Sequence, residues 1–326
     1  MKKFTQLAIL LVLSLVSKLE AQQLPNFSQY MFNTFLINPA AAGIDGYTAV
    51  NLTAREQWLG LKESPKTHVL TGQTRLDDNN FITKLLNPHP DEKSTKPSGR
   101  VGLGATLYND RLGLINRTGF QFTYAYHLPI EEAELSFGLS GAIYQFSIDR
   151  SKMVLQDNDD NVINSSDFSR YIPDFSFGAM YTTKDYYAGV AIMQLMQSSL
   201  QMGNSGISND YRLYRQYNIH GGYRWEINRD LAIQPSALIK VSKMLKPQVD
   251  ISTKLYYRND YWGGLSLRTG SAFIVMLGLS VDNYSFGYAF DYDFSSIRAH
   301  SFGSHEVMVT VKFGQKAGKL RWLHRF

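Results

Sequence analysis

Glu134–Phe146 reads ELSFGLSGAIYQF. Leu135, Phe137, Leu139, Gly141 and Ile143 fall on one side of an extended chain, and Ser136, Gly138, Ser140, Ala142 and Tyr144 on the other. Strand side chains alternate between faces, so this period of two separates an apolar face from a small or polar one. The pattern recurs in SVDNYSFGYAFDYDF (Ser280–Phe294). There Tyr284, Phe286, Tyr288, Phe290 and Tyr292 alternate with Ser285, Gly287, Ala289, Asp291 and Asp293. In GSHEVMVTVKFG (Gly303–Gly314), Val307, Val309, Val311 and Phe313 alternate with Met308, Thr310 and Lys312. A soluble β-sandwich alternates in the same way. Two features favour a membrane barrel instead. The apolar face is aromatic near segment ends, as an interfacial girdle is, and the opposite face carries Lys240, Asp250 and Lys254 in mid-strand, which a polar lumen tolerates.

Composition agrees. The chain has 326 residues, 20 Tyr, 19 Phe and no Cys, with 19% charged residues and a net charge of +5. The charged share is below the roughly 25% of soluble domains. Without cysteine there is no disulfide framework, thiolate nucleophile or Cys-ligated metal. The opening MKKFTQLAILLVLSLVSKLEA has a charged start at Lys2 and Lys3, an apolar run over Leu7–Val16 and a cleavage context ending at Ala21. That order reads as a secretory signal peptide, and its apolar run is too short for a membrane anchor. Nothing after it reaches the ~18 apolar residues of a transmembrane helix.

Alternation and turn residues predict strands near Tyr47–Gln57, Lys66–Leu76, Arg100–Asn109, Asn116–Leu128, Glu134–Phe146, Pro173–Thr183 and Asp185–Met193. Seven more follow near Arg212–Ile227, Asp230–Val241, Pro247–Arg258, Tyr261–Thr269, Ala272–Asp282, Tyr284–Asp291 and Ser304–Phe313. The expected fold is therefore all-β: a transmembrane antiparallel β-barrel of about 14 strands. The expected organisation is a signal peptide (1–21), a periplasmic or luminal leader (22–46), a barrel (47–313) and a basic tail (314–326). An even strand count puts both ends in the periplasm. The connections Pro129–Ala133, Thr183–Asp185, Asn228–Arg229, Asn259–Asp260 and Asp282–Asn283 are then short periplasmic turns. Ser147–Ile172, Gln194–Tyr211 and Tyr292–Gly303 are long external loops, the usual asymmetry. Asp77–Gly99 breaks it: it is long, and is either a functional periplasmic loop or a point where the assigned strand register fails.

Most candidate chemistry fails. Asp157, Asp159 and Asn161 have calcium-loop spacing, but Val162 and Phe168 stand where the turn glycine and closing acid belong. His305 and Glu306 point to opposite faces of a strand, so they form no dyad. No His spacing suggests a metal site, no Gly loop cradles phosphate, and the excess basic charge lies in the tail rather than on a nucleic-acid surface. No cofactor is implied. The tail, QKAGKLRWLHRF, carries Lys316, Lys319, Arg321 and Arg325 beside Trp322 and Phe326. It reads as an interfacial anchor on outer-membrane lipid, or as a docking strip for an acidic partner.

The leader stretch FSQYMFNTFLINPAAAG (Phe27–Gly43) is aromatic and nearly uncharged. Phe27, Tyr30, Met31, Thr34 and Phe35 would share one face of a short helix that Asn38-Pro39 ends. With several later stretches it resembles the PorP/SprF family of the Bacteroidetes type IX secretion system. The matches are Gln29-Tyr30-Met31-Phe32-Asn33 and Ile37–Gly43 with Asn38-Pro39; Arg55, Gln57, Trp58, Gly60, Pro65 and Thr67; Pro173–Gly178; Gln234–Lys240; and Gly303-Ser304-His305-Glu306. Three departures are Glu63-Ser64 in place of a Gly-Ala pair, Gln216 in place of His, and Leu267 in place of Tyr, read as lining or hairpin positions. The resemblance implies a non-enzymatic outer-membrane barrel. Its implied partners are the periplasmic ring of the secretion machinery, or a secreted adhesin or cargo, in some members for gliding. The motif residues and the four tail cations are the candidate partner-binding or plug residues. A passive porin or hydrophobic-substrate channel is the competing reading, and a lipid-modifying enzyme a third.

Overall fold

The computed structural model describes residues 25–77, 98–148, 169–201, 210–243 and 246–313. Fourteen strands form one antiparallel wall. In order they are β1 (Thr48–Glu56), β2 (Lys66–Asp77), β3 (Ser98–Leu112), β4 (Ile115–Ile130), β5 (Ala133–Ile148), β6 (Ser169–Thr182) and β7 (Tyr186–Met193). The rest are β8 (Gln216–Tyr223), β9 (Leu231–Ser242), β10 (Gln248–Tyr257), β11 (Tyr261–Arg268), β12 (Ala272–Val281), β13 (Tyr284–Asp293) and β14 (Ser304–Phe313). Each pairs with its neighbour in sequence, and β1 closes on β14 from Thr48↔Phe313 to Glu56↔His305. Closure leaves no edge whose backbone groups would face lipid unpaired.

The alternation decides which side faces out. On β4, Phe120, Phe122, Tyr124, Tyr126 and Leu128 are exposed, while Gln121, Thr123, Ala125 and His127 are buried inside. On β5, Phe137, Leu139 and Ile143 face out, and Ser136, Ser140 and Ala142 face in. The wall is thus apolar outside and polar inside. Exposed aromatics gather at both rims: Tyr181, Tyr186, Tyr223, Trp225, Tyr257, Tyr261 and Tyr284 at the end with the tight turns, and Tyr171, Tyr217, Tyr292, Phe294 and Phe302 at the end with the loops. Ring-bearing residues favour such a boundary, where one end of the side chain is apolar and the other wet.

Two expectations need correction. The segment expected as one strand, Arg212–Ile227, is broken. Asp210–Arg212 pairs with Ser199–Gln201 in a separate hairpin, and β8 starts only at Gln216. Leu213 explains the break: it is fully buried among Ala142, Tyr144, Phe146 and Ile172, which draws this segment from the wall into the barrel mouth. β8 then pauses at Arg224 before Trp225–Glu226 pairs again with β9. The last external loop is also shorter than expected, because β13 runs to Asp293. The signal peptide, most of Asp77–Gly99, the calcium-like run Asp157–Phe168, residues 202–209 and the basic tail lie outside the described residues.

Leu139 sits halfway along β5 on the outer face. Leu139→Arg should destabilise the inserted barrel by about 2–4 kcal/mol, the cost of a cation near the bilayer midplane. Denaturant titration in lipid vesicles measures this, with an unchanged midpoint counting against the membrane-facing assignment.

Candidate functional site: a leader inside the barrel

A closed wall of fourteen strands encloses more space than its own side chains fill. The described part of the leader, from Pro25 to Gly46, occupies that space. It is not the helix that the spacing predicts. Thr34–Leu36 and Pro39–Ala41 are two separate 3-10 turns, and the rest is irregular. The reason lies in Asn38 and the wall. The Asn38 side chain accepts from Ala40 N at 2.9 Å and starts the second turn with Pro39 in its first position. Wall side chains then satisfy backbone groups that a helix would have paired internally. Asn218 Nδ2 donates to the Ile37 carbonyl at 2.8 Å, His127 Nε2 to the Ala42 carbonyl at 2.9 Å, and the Gln73 amide oxygen accepts from Gly43 N at 3.1 Å. Irregular backbone at membrane depth persists only when protein groups satisfy it in this way.

The leader runs the length of the lumen. Near the loop end, a continuous chain of polar contacts holds it. Glu306 accepts from the backbone N–H groups of Ser28 at 2.8 Å and Gln29 at 2.9 Å. Arg55 bridges Glu306 at 3.3 Å and Asp291 at 2.7 Å. Ser28 Oγ lies 2.7 and 2.8 Å from the two Asp291 oxygens and accepts from Arg55 at 2.9 Å. Arg268 joins Asp291 at 3.3 Å to Asp250 at 3.1 Å. From Asp250 the contacts pass through Gln248 to Asn26 and on to Lys240. Arg55, Asp291, Arg268, Asp250 and Glu306 are each at most 3% exposed. Charges removed from water this far are retained only with partners and added hydrogen bonds, and these have both.

In the middle, the leader packs as an apolar plug. Tyr30, Met31 and Ile37 join Leu238, Tyr256, Trp262, Ile274 and Met276 in one buried cluster. Phe32 lies against Trp262 with ring centroids 4.0 Å apart, and Lys254 Nζ sits 4.2 Å from the centroid of the Phe32 ring. Asn33 donates to Asn51 at 3.2 Å and Thr71 at 2.9 Å. The Asn38 amide nitrogen lies within reach of the Ala179 and Val190 carbonyls and His220 Nε2. The wall makes room with glycine: a Cβ at Gly138 would collide with Pro39 and Ala40, and one at Gly178 with the Asn38 side chain. At the turn end, Arg75 and Glu134 form a two-bond ion pair beside His127, which holds Ala42. The leader lies between two vestibules, with about 670 Å³ of open space on the loop side and about 720 Å³ on the turn side.

The structure therefore brings Gln29, Tyr30, Met31, Phe32, Asn33, Asn38, Pro39, Arg55 and Glu306 to one lumen. Trp58 and Ser304 lie at the loop rim, where Ser304 Oγ accepts from Trp58 N at 3.2 Å. His305 is turned away on the outer face, against Tyr288 and Phe290. Leu267 is also on the lipid side rather than lining or hairpin, exposed at 46%. Glu63, where the family has Gly, carries a left-handed φ of 57° that Gly accepts without strain. Lys316, Lys319, Arg321 and Arg325 lie outside the described residues. Sequence reasoning missed Asn26, Ser28, Arg268, Asp291, His127, Asn218 and His220 as site residues. For the five strand residues among them, position on the polar face of the alternation was the available signal; Asn26 and Ser28, in the irregular leader, offered none. Among the described residues, no three His, Cys, Asp or Glu side chains gather as metal ligands.

The family described as type IX secretion system membrane protein PorP/SprF matches residues 19–311. The chain belongs to the PorP/SprF family. None of the curated proteins matches it. Solved structures of similar shape include Acinetobacter baumannii Omp33, at 9% identity and a TM-score of 0.47 over 82% of this chain and 98% of that one. The Ralstonia pickettii toluene transporter TbuX has 10% identity and a TM-score of 0.46 over 86% and 91%. A Pseudomonas aeruginosa FadL homologue has 11% and 0.47 over 89% and 95%. Likeness this distant bears on neither ligand nor mechanism. PorP/SprF membership and the barrel fold point to the outer membrane.

Glu306→Ala removes the acceptor for Ser28 N and Gln29 N and leaves Arg55 one carboxylate short. Losing one partner of a buried pair should cost about 3–5 kcal/mol in a denaturant titration. Lys254→Met is the contrast. This side chain is fully buried, with no hydrogen-bond partner for Nζ among the described residues, so replacement should be neutral or stabilising. A separate test addresses the cradle. Gly138→Val should leave the wall heat-resistant but displace the leader, read as faster proteolysis near Asn38; unchanged proteolysis would sink the packing assignment.

Proposed function

We propose that this PorP/SprF protein is a non-enzymatic outer-membrane component of the type IX secretion system, exported by a cleaved signal peptide. It supports secretion or surface attachment of a partner protein, such as a gliding adhesin. The single observation that carries the reading beyond family membership is the leader, built into the lumen by its own motif residues. A passive porin or hydrophobic-substrate channel needs a continuous path, whereas here Phe35, Ile37 and Pro39–Ala42 lie buried across the middle of the barrel. Motif residues that carry the family resemblance, Gln29, Asn38, Arg55 and Glu306, are among those that hold the leader in place.

In this reading the turn end faces the periplasm and the loop end the outside, following the usual asymmetry of such barrels. Contact with the periplasmic ring then falls to the turn end, with the basic tail and the connection around 77–99 as candidate elements. Cargo or adhesin contact falls to the loop end. The leader is at once a plug and a rigid base for the loops.

Deletion of Phe27–Gly43 tests the reading. The truncated barrel should still insert, should lose most partner-dependent secretion, and should gain steady conductance in a planar bilayer that the full chain lacks. Affinity purification of the full chain from membranes, with mass spectrometry, should recover the secretion ring or one large adhesin. Normal secretion by the truncated form, or steady conductance by the full chain, contradicts the proposal and favours the porin.

A further inference from the structure

Lys240 stands at the free end of the polar chain described above. It lies near the loop end of β9 and is 7% exposed. Its ammonium donates to the Asn26 side-chain oxygen at 2.6 Å and makes no ion pair among the described residues. Asp250, two amides along, is already held by Arg268 at 3.1 Å. Lys240 also lines the loop-side vestibule. A buried cation beside open space, in contact with a neutral amide rather than a carboxylate, favours an anion in that space.

The rest of the vestibule narrows the chemistry. Its floor is the apolar upper surface of the leader: Phe27, Phe35, Leu36 and Ile37. Leu36 is only half-buried, so its side chain has unused apolar surface. On a wall five strands away from β9, Arg117 of β4 is 3% exposed. Its guanidinium carbon lies 5.3 Å from the Tyr108 ring centroid and 5.9 Å from that of Tyr144, and its nitrogen is 3.3 Å from Asp110. Among the described residues no Asp or Glu lines the vestibule, while both cations do. An inorganic anion would leave the apolar floor uncovered, and a neutral apolar molecule would leave the Lys240 ammonium with no anion in direct contact.

We propose that the loop-side vestibule binds a carboxylate carried on an apolar or aromatic body. The carboxylate takes Lys240, and the body covers Leu36 and the neighbouring rings. Two sources offer this chemistry: a free aromatic or aliphatic acid, or the C-terminal end of a polypeptide. The site does not depend on the secretion reading, since it rests on the leader floor and on Lys240 alone.

The test uses the full chain purified in an uncharged maltoside detergent, with calorimetric titration of four probes. These are N-acetyl-phenylalanine, its amide, and acetyl-Gly-Gly-Phe as acid and as amide. Each acid should bind at least about tenfold more tightly than its amide, and Lys240→Gln should erase that difference. Because Lys240→Gln can loosen the leader, Leu36→Trp supplies an independent arm. It fills the vestibule from the floor without touching the ion chain, and should abolish binding of both acids in a barrel that stays heat-resistant. A tripeptide acid at least about tenfold tighter than the single residue identifies a polypeptide end as the source, and equal affinities identify a small free acid; both uphold the site. Equal affinity for acid and amide, binding that survives Leu36→Trp, or no binding of either acid at millimolar concentration overturns it.

Discussion

The ion chain Arg55–Asp291–Arg268–Asp250, with Glu306 beside it, is the constraint on which the rest of this barrel depends. Its members come from β1, β14, β13, β11 and β10, so it spans the seam where the first strand meets the last. Five buried charges in one lumen would cost several kcal/mol each if left alone. Their mutual pairing offsets much of that, and the leader supplies the remainder through Ser28 Oγ and the N–H groups of Ser28 and Gln29. Without the leader, Glu306 would lose two backbone donors and Asp291 a hydroxyl. The leader and the seam therefore stabilise each other. Neither is complete alone, and such partly satisfied networks cost more than an apolar lining would.

The lumen also gives the protein a hydrophobic core in an unusual place. In a membrane barrel the lipid-facing surface is buried against lipid rather than against protein, and most of the inner wall is polar. Here Tyr30, Met31 and Ile37 carry apolar surface inward and meet Leu238, Ile274 and Met276 from the wall. Glycines at 138 and 178 let the leader backbone approach the wall where any side chain would collide. Some of the contacts join the leader to strands more than two hundred positions later, as between Gln29 and Glu306. Contacts this distant in sequence form late and slowly. The wall has to close around the leader, because a plug held at both ends and in the middle does not slide into a finished cylinder.

Much of this was legible in the sequence, for a physical reason. Alternation is a local property, so the face of each residue follows from parity: Asp250 and Lys254 had to point inward, and Phe137 and Leu139 outward. Register is not local. That Arg55 meets Glu306 depends on the β1–β14 closure, which pairs Arg55 with Glu306 across nearly the whole chain. The leader shows the same division. Its uncharged aromatic composition marked it as a segment apart, but spacing predicts a helix there. A helix is the solution for a backbone that must satisfy itself. Asn218, His127, Gln73 and Glu306 remove that need, and no local pattern announces them. The hairpin at Asp210–Arg212 was missed for a similar reason, because the burial of Leu213 depends on Phe146 and Ile172 in other strands.

The direction of the leader has one more consequence. Asn26 and Ser28 contact the loop-end halves of β9, β13 and β14, while Ala42 and Gly43 contact the turn-end parts of β2 and β4. The chain then turns back through Gly43 and Gly46, both at positive φ, and enters β1 from the turn end. The leader thus runs antiparallel to β1, with its far end at the mouth opposite to its attachment. A lid hinged at Gly46 could swing away from one rim, but this segment cannot. To leave the lumen toward the turn end, Asn26 must be drawn past the Tyr30–Trp262 cluster and the glycine cradle. Every contact from Lys240 to His127 breaks on the way. The leader is therefore held in the lumen by its topology as well as by its contact energies, mainly through charges near the loop end and through packing in the middle.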